Sequence, residues 1–299
     1  MNIAQEKQAV RHQWQGHVTE EMTQSYHNEG YLLLEGFASR AECEALMAQT
    51  KKLVDGFDAD EHKVVFSAAG QSHAASDYFM KSASDISFFL EKDAVDEAGN
   101  LVKDKQVAVN KIGHALHDLD PVFDEFSHQK KMADLAYAIG FKEPRLLQSM
   151  VICKQPHIGG EVTGHQDSTF LYTEPQTCVG FWLALEDATT ENGCMWGAPA
   201  GHEAPLKSRF VRAQAGQNGQ AEMVMEQLSD EDLPPCDVAL PAPQGTLILL
   251  HGRFPHLSPP NHSAKSRYAY ALHMIDGLAD YAAENWLQRK EGMPLKGFS

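Results

Sequence analysis

The chain has 299 residues and a formal net charge of −16 at neutral pH. This length fits one large domain or two modest ones, and with 43% hydrophobic residues the chain can bury a sizeable core. The acidic balance argues against nucleic acid and anionic membranes as partners, because both repel a negatively charged surface. An anionic substrate would need a local basic pocket.

We expect a cytoplasmic protein with free thiols. The first residues are polar and lack the apolar centre of a signal peptide, and no apolar run reaches the length of a membrane span. The five cysteines are widely spaced and include no CxxC pair, which argues against both a disulfide framework and a structural zinc site. The sequence does not indicate an oligomeric state.

The first part of the chain has the spacing of amphipathic helices. Apolar residues recur at helical spacing up to Gly30, a glycine that we expect to end the first helix before a short strand at 31–37. Ser39 is followed three residues later by Glu42, which is the pattern of a capping box and predicts the start of a second helix.

A polar stretch separates these elements from a further helical region. Residues 92–106 are polar and are predicted to form a loop, and Pro121 marks the start of another helix. We therefore predict a helix-rich N-terminal part over about 1–140. A domain boundary near residue 92 is only weakly indicated, and we expect the whole chain to fold as a single domain, 1–299.

The chain beyond this part is rich in β-branched, aromatic and aliphatic residues. Glycine, proline and asparagine separate short apolar runs, and 191–193 (ENG) predicts a hairpin turn between two of them. Many short strands without intervening helices are typical of a sandwich or barrel. We predict a β core over about 141–277, followed by a C-terminal segment, 278–299. The predicted strands are 146–155, 178–187, 194–199, 245–252 and 267–277.

The segment GGEVTGHQDSTFLYTEP (159–175) places an imidazole and a carboxylate two residues apart. Alternate residues of a strand point to the same side, so His165 and Asp167 at a strand end can converge on one ion. The pattern alone is weak, because the chain has 15 histidines and a similar pair, His27 and Glu29, lies at the end of a predicted solvated helix. One more imidazole would complete the facial triad of a non-haem Fe(II) oxygenase.

Four later histidines are candidates for the third ligand: His251, His256, His262 and His273. If the open metal positions chelate 2-oxoglutarate, its distal carboxylate needs a buried cation, and arginine offers a bidentate one. Arg267 follows His256 by eleven residues, which fits a partner on the next strand. His262 lies in a turn, and His273 is expected to be a packed or supporting residue. We favour His256, and His251, at a predicted strand end, remains the alternative.

Three segments resemble the phytanoyl-CoA dioxygenase family, and in particular its subgroup of phytanoyl-CoA dioxygenase domain-containing proteins. They are QSMVICKQPHIGGEVTGHQDSTFLYTEP, FWLALEDATTENGCMW and SRYAYALHMIDG, and the strong likeness covers residues 110–290. The resemblance implies a mainly β fold with flanking helices around a double-stranded β-helix, the jelly roll of cupins. It further implies a hydroxylase that uses Fe(II) with 2-oxoglutarate and O₂ as co-substrates, and that ascorbate stimulates.

Matching positions carry the family's site residues to this chain. The resemblance assigns His165, Asp167 and His256 as iron ligands, and Arg267 as the partner of the distal carboxylate of 2-oxoglutarate. The further residues that match the 2-oxoglutarate pocket are Lys111, Met150, Trp182 and Ser258. Each also has a structural alternative: the methionine and tryptophan could pack in the core, the serine could bond its own turn, and the lysine could lie on the surface.

Other positions bear on the reaction and the substrate. Related halogenases have a small residue where this chain has Asp167, so hydroxylation or another oxidation such as desaturation is expected. The family often reads Pro-Gly-Ser-His where this chain has PAGH at 199–202, and extra prolines follow the distal histidine, so the substrate loop differs. Apart from Lys130 and Lys131, no dense basic cluster is present for the phosphates of CoA. The substrate is expected to be a small molecule, an acyl-CoA or another metabolite.

Two other functions are compatible with a jelly roll that holds a metal. One is a non-catalytic protein that binds a metal or 2-oxoglutarate, and the other is a cupin-like metalloenzyme that does not use 2-oxoglutarate. A complete ligand set together with Arg267 argues against lost catalysis. The cupin-like enzyme would not need an arginine buried opposite the metal.

Overall fold

The structure is a computed structural model that describes residues 8–58, 77–97, 100–213 and 223–298. The helices are α1 (Glu20–Glu29), α2 (Arg40–Gly56), α3 (Asp77–Lys81), α4 (Leu116–Leu119), α5 (Pro121–Ser127) and α6 (Lys130–Ala138). The strands are β1 (His12–Gln13), β2 (Tyr31–Glu35), β3 (Ile86–Leu90), β4 (Val109–His114), β5 (Pro144–Lys154), β6 (Val162–His165), β7 (Thr173–Glu174), β8 (Val179–Ala184), β9 (Met195–Gly197), β10 (Ser208–Arg212), β11 (Met223–Gln227), β12 (Val238–Leu240), β13 (Leu247–His251), β14 (His256–Ser258), β15 (Arg267–Asp276) and β16 (Asp280–Tyr281).

Two mainly antiparallel sheets form the core. The larger sheet has the strand order β1-β2-β13-β8-β15-β5-β4-β3, and the smaller one has the order β12-β9-β14-β6. Most neighbouring strands are distant in sequence, as a double-stranded β-helix requires, and helices pack outside the larger sheet. The predicted fold class, mainly β with flanking helices, is confirmed.

Strand alternation divides the apolar residues between two layers. On β13, Leu247 and Leu249 join the cluster that packs against the helices, whereas Ile248 and Leu250 face the space between the sheets. On the neighbouring strand β8, Trp182 faces the same inner space. All five side chains are almost fully buried, and burying each one stabilises the fold by roughly 1.5–3 kcal/mol.

The predicted helix boundaries in the N-terminal part are confirmed. Helix α1 ends at Gly30, which has the left-handed conformation at φ 77°. At the start of α2, the Ser39 hydroxyl accepts a hydrogen bond from the backbone N–H of Glu42 at 3.2 Å, and the Glu42 carboxylate accepts one from the Ser39 N–H at 2.7 Å. Pro121 is the first residue of α5.

The N-terminal part contains more strand than its sequence predicts. β3 and β4 extend the larger sheet beyond β5. The β4 sequence VNKIGH has no regular apolar alternation, and it forms a strand because β5 offers it a paired edge, where Lys111 lies opposite Ile152. We propose a single domain, because one sheet takes strands from both the N-terminal part and the β core.

The turn at 191–193 is not a hairpin turn, so this prediction was wrong. The flanking strands lie in different sheets, β8 in the larger and β9 in the smaller. The turn therefore carries the chain from one sheet to the other. The Asn192 side-chain amide holds it by donating to the carbonyl oxygen of Asp187 at 2.8 Å, and the Gly193 carbonyl oxygen accepts a hydrogen bond from Arg267 Nε at 3.2 Å.

The five cysteines are free thiols, as predicted. Four of them are buried and Cys236 is partly exposed. Across the ranges that the structure describes, every helix is too short or too polar to cross a membrane.

The capping box of α2 gives a stability prediction. Ser39→Ala removes the oxygen that accepts the Glu42 N–H, and we expect it to lower the free energy of unfolding by about 1 kcal/mol in urea denaturation at pH 7. Ser39→Asp keeps an acceptor at this position and is expected to retain wild-type stability. Equal stability of Ser39→Ala and wild type would contradict a stabilising role for the cap.

Candidate metal centre

The candidate ligands His165, Asp167 and His256 meet at one end of the smaller sheet. His165 is the last residue of β6, His256 is the first residue of β14, and the two are register partners in the antiparallel pair. Asp167 begins a short 3₁₀ turn directly after β6. The strand register thus brings together residues that are far apart in sequence.

The distances among these three side chains fit a single cation. Nε2 of His165 lies 3.6 Å from Oδ1 of Asp167, and Nε2 of His256 lies 3.8 Å from the same oxygen. The ligand atoms all lie within 4.8 Å of one another, and within the described ranges no other group of three His, Cys, Asp or Glu side chains has such spacing. Two imidazoles and one carboxylate are the ligand set of non-haem Fe(II) oxygenases.

Backbone hydrogen bonds orient both imidazoles in the same way. Nδ1 of His165 lies 2.9 Å from the carbonyl oxygen of Thr163, and Nδ1 of His256 lies 3.0 Å from that of Phe254. A carbonyl can only accept, so Nδ1 carries the hydrogen in each ring. The Nε2 lone pairs are therefore free for a metal beside Asp167.

The electrostatics of the cluster favour a bound cation. Burial, with a contribution from His165, lowers the pKa of His256 to about 4, which keeps its ring neutral. Burial alone would raise the pKa of Asp167, but the surrounding histidine rings, His273 first, together outweigh it and hold this pKa well below the usual range. Burial acts to lower the pKa of His165, but the Asp167 carboxylate raises it above the ordinary value. A metal ion bound to His165 would take the place of the proton that this raised pKa favours on the ring.

The larger sheet supports the Asp167 carboxylate from behind. Nε2 of His273 lies 3.3 Å from Asp167 Oδ2, an oxygen that is buried and has no well-aligned hydrogen bond among the described residues. His273 is the register partner of Gly180 on β8, and a Cβ atom at Gly180 would lie 2.8 Å from the same oxygen. Gly180 therefore leaves the space that the carboxylate occupies, and His273 has the supporting position that its sequence predicts.

All the predicted site residues line one cavity of about 900 Å³ between the two sheets. The cavity reaches the three candidate ligands and extends along the inner face of the larger sheet. The remaining predicted residues in its wall are Lys111, Met150, Trp182, Ser258 and Arg267.

Arg267 presents an unpaired positive charge to this cavity. Its side chain is fully buried; Nε donates to the carbonyl oxygen of Gly193 and Nη2 donates to Ser258 Oγ, both at 3.2 Å. Nη1 is buried without a hydrogen-bond partner, and no acidic side chain in the described part of the chain forms an ion pair with the guanidinium. Burial lowers the pKa of Arg267 to about 10, so it stays charged at neutral pH. A buried cation without a counter-ion favours an anionic ligand.

Two lysines add positive charge to the cavity wall: Lys154, which is buried, and Lys111, which is partly buried. Lys111 lines the cavity, so it is not the surface lysine that the sequence allowed as an alternative. Burial lowers its pKa to about 7. Lys154, the register partner of Arg267, also has its pKa lowered to about 7 by burial. Its ammonium donates to the carbonyl oxygens of Gly160 at 2.5 Å and Pro259 at 2.7 Å, so it braces the loops at this end of the cavity.

Sequence reasoning missed Lys154, Gln148 and Gly180. Strand alternation is the signal that could have found them, because it assigns a face to every second residue. On β5, Gln148 and Lys154 share the face of Met150. On β8, Gly180 lies two residues before Trp182 and shares its face.

The other candidate histidines lie away from the cluster. The ring of His251 packs 5.0 Å from that of His202, and its Nδ1 accepts a hydrogen bond from the backbone N–H of Arg253 at 3.1 Å. His251 does not line the cavity. His262 and His27 are exposed to solvent.

Comparisons with known proteins give the family. The model of the phytanoyl-CoA dioxygenase (PhyH) family matches residues 26–269. The chain is 42% identical over 276 residues to a phytanoyl-CoA dioxygenase of Arabidopsis thaliana, covering 92% of this chain and 95% of that protein. It is 40% identical over 280 residues to phytanoyl-CoA dioxygenase domain-containing protein 1 of Bos taurus, covering 91% and 95%. The chain belongs to the phytanoyl-CoA dioxygenase family.

Solved structures confirm the jelly-roll fold of this family member. The non-haem α-ketoglutarate-dependent carbocyclase SnoK from nogalamycin biosynthesis superposes with a TM-score of 0.62 at 16% identity, covering 94% of this chain and 97% of SnoK. EctD from S. alaskensis with bound Fe gives a TM-score of 0.56 at 16% identity, covering 89% and 80%.

The family assignment settles the enzyme class. This phytanoyl-CoA dioxygenase family member is an enzyme, an oxygenase that depends on non-haem iron and 2-oxoglutarate and acts with O₂ on small molecules. The two alternative functions, a non-catalytic binding protein and a cupin-like enzyme without 2-oxoglutarate, are therefore not supported.

Gly180→Ala tests the space behind Asp167. The added methyl group would displace the carboxylate, and we expect Fe(II) affinity to fall by about ten-fold or more in anaerobic equilibrium dialysis. Gly164→Ala is the matched control, because a Cβ atom there has no neighbour within 4 Å although Gly164 also lines the cavity. Equal losses in the two variants would show that the space at Gly180 is not specific to the metal centre.

A pair of histidine variants tests the choice of the third ligand. His256→Ala should abolish tight Fe(II) binding, because it removes one of three ligands, whereas His251→Ala should leave Fe(II) affinity within about two-fold of wild type. The same dialysis measures both. Loss of iron from His251→Ala with retention in His256→Ala would reverse the assignment.

Proposed function

We propose that this enzyme hydroxylates a small-molecule substrate, with His165, Asp167 and His256 as the iron ligands. The observation that carries the proposal is the unpaired Nη1 of Arg267, which is buried in the wall of the cavity that the three candidate ligands line. Arg267 would bind the distal carboxylate of 2-oxoglutarate. When bound, iron and 2-oxoglutarate supply the oxidising chemistry, with succinate and CO₂ formed from the co-substrate.

Strand β15 runs along the cavity and places Arg267 and His273 toward opposite ends of it. Arg267 and His273 lie six residues apart on the same face of this strand, which is about 20 Å at roughly 3.3 Å per residue. His273 contacts Asp167, so the candidate metal centre lies toward its end of the strand. We assign the half of the cavity toward Arg267 to 2-oxoglutarate and the half beyond Asp167 to the substrate.

The Arg267 half of the cavity is built to hold an anion away from water. Trp182 lies over the guanidinium, with its ring centre 5.4 Å from Cζ, and Met150 adds a further apolar wall. A low local dielectric strengthens the pairing of Arg267 with a carboxylate. We assign Ser258 and Lys111 as additional donors to 2-oxoglutarate; the Ser258 hydroxyl, which here donates to the Gly193 carbonyl oxygen at 2.9 Å, would turn to the bound carboxylate. A bound carboxylate would raise the pKa of Lys111 above 7 and keep this side chain charged.

We also propose a cytoplasmic location. The five cysteines form no disulfide, which is typical of proteins in reducing compartments. Stimulation by ascorbate stays a prediction, which parallel succinate assays with and without ascorbate would test.

Formation of the 2-oxoglutarate chelate tests the proposed function without a known substrate. Apo-protein mixed anaerobically with Fe(II) and 2-oxoglutarate should develop the weak visible charge-transfer band of the bidentate chelate. Asp167→Ala should lack the band, because it removes a ligand. Arg267→Met should keep Fe(II) affinity but bind 2-oxoglutarate about 100-fold more weakly, because it removes a buried charged partner worth about 3 kcal/mol.

Arg145→Met is the matched control for the arginine variant. Arg145 is partly exposed at the start of β5 and pairs with Glu143 at 3.2 Å, outside the cavity. This variant should titrate with 2-oxoglutarate as wild type does. Iron binding by wild type without the band, or an unchanged 2-oxoglutarate affinity in Arg267→Met, would contradict the proposal.

A further inference from the structure

We infer that Gln148 and His273 bind a group of the substrate that both donates and accepts hydrogen bonds, such as a hydroxyl or a carboxamide, on an otherwise apolar, uncharged molecule. The inference deepens the proposed function and rests on it, because that function assigns the Arg267 half of the cavity to 2-oxoglutarate. The remaining half then defines the chemistry of the substrate.

Gln148 offers a free amide to the substrate half. Its side chain is only 5% exposed, yet it lines the cavity. The amide faces the open space of the cavity and is not enclosed by protein atoms. A ligand that fills this space displaces water from the amide and must replace the lost hydrogen bonds, so a matching polar group is favoured there.

His273 places a second free polar atom beside this amide. It is the register partner of Gln148 on the neighbouring strand, so the two side chains are direct neighbours on the inner face. Nε2 of His273 faces Asp167, while Nδ1 is buried and has no partner in the described ranges. An imidazole nitrogen donates or accepts according to its tautomer, and the Gln148 amide offers both a donor and an acceptor. A hydroxyl or a carboxamide matches this set.

Apart from Lys111, which the proposed function assigns to 2-oxoglutarate, the charged side chains in the described wall of the substrate half are Lys207 and Asp232. Lys207 lies at the solvent-exposed mouth, 3.3 Å from the carboxylate of Asp232. Burial keeps the pKa of His114 far below its ordinary value, and its Nδ1 lies 2.8 Å from Ser82 Oγ, so this ring is a neutral part of the wall. With Lys111 assigned to 2-oxoglutarate, the described wall of this half leaves no buried cation for a phosphate group or a free carboxylate.

Four aromatic side chains line this half of the cavity. Phe79 stacks on Trp286 with ring centres 4.5 Å apart, and Phe170 meets Phe210 edge to face at 5.7 Å. Phe170 also lies edge to face with the candidate ligand His165 at 5.9 Å. An apolar body packed here gains about 0.8 kcal/mol for each buried methylene. The substrate is thus apolar apart from the group held by Gln148 and His273.

Four probes with related eight-carbon chains test this inference: octanamide, methyl octanoate, octanoate and octylamine. Each is titrated calorimetrically into anaerobic protein loaded with Fe(II) and 2-oxoglutarate. Octanamide should bind at least about ten-fold more tightly than the other three, because only its head group is neutral and both donates and accepts. Gln148→Met keeps the side-chain length but removes the amide, and should weaken octanamide binding about ten-fold.

Further variants keep the outcome decisive. Gln148→Glu should shift the preference toward octylamine, because it places a carboxylate where the amide lies. Gln24→Met, on the exposed face of α1, should bind all four probes as wild type does. Equal binding of octanoate and octanamide, no binding of octanamide, or an unchanged octanamide affinity in Gln148→Met would overturn the inference. The charge-transfer band distinguishes the two proposals: its absence in wild type contradicts the proposed function, whereas its presence with any of those results contradicts only the substrate assignment.

Discussion

The register between β6 and β14 is the constraint on which the site depends. It places His165 opposite His256, and the turn after β6 then brings Asp167 between the two rings. Because strand side chains alternate, a shift of one residue would turn His256 away from the cavity. The rest of the fold holds this register, since β9 pairs with the other edge of β14 and the larger sheet supports Asp167 from behind.

The net charge of the protein and the charge of its cavity wall have opposite signs. The chain carries a net charge of −16, yet the buried side chains of Lys154 and Arg267 lie at one end of the cavity, and Lys111 adds a third basic side chain to its wall. Lys154 and Arg267 form no ion pair with an acidic side chain in the part of the chain that the structure describes. An anion that reaches this end is attracted locally although the protein as a whole repels it. The sequence predicted that an anionic ligand would need such a pocket, and the fold supplies it.

Local patterns predicted the helix caps and the strand-rich core, because capping and alternation depend on neighbouring residues. The resemblance to the family pointed to eight residues that the fold brings to one cavity. The turn at 191–193 was misread as a hairpin, because its local chemistry is the same whether the chain returns to one sheet or crosses to another. Gln148 and His273 become informative only through their pairing across β5 and β15, which depends on contacts distant in sequence.

The lack of a side chain at Gly180 links the two sheets of the protein. The space that a methyl group would need there is already filled by a carboxylate oxygen of Asp167, which follows a strand of the opposite sheet. The volumes at positions 167 and 180 are therefore not independent: a relative with a shorter residue at 167 has room for a larger one at 180. In such a lineage the two positions would change together, and the size of residue 180 would indicate whether residue 167 supplies a carboxylate to the metal.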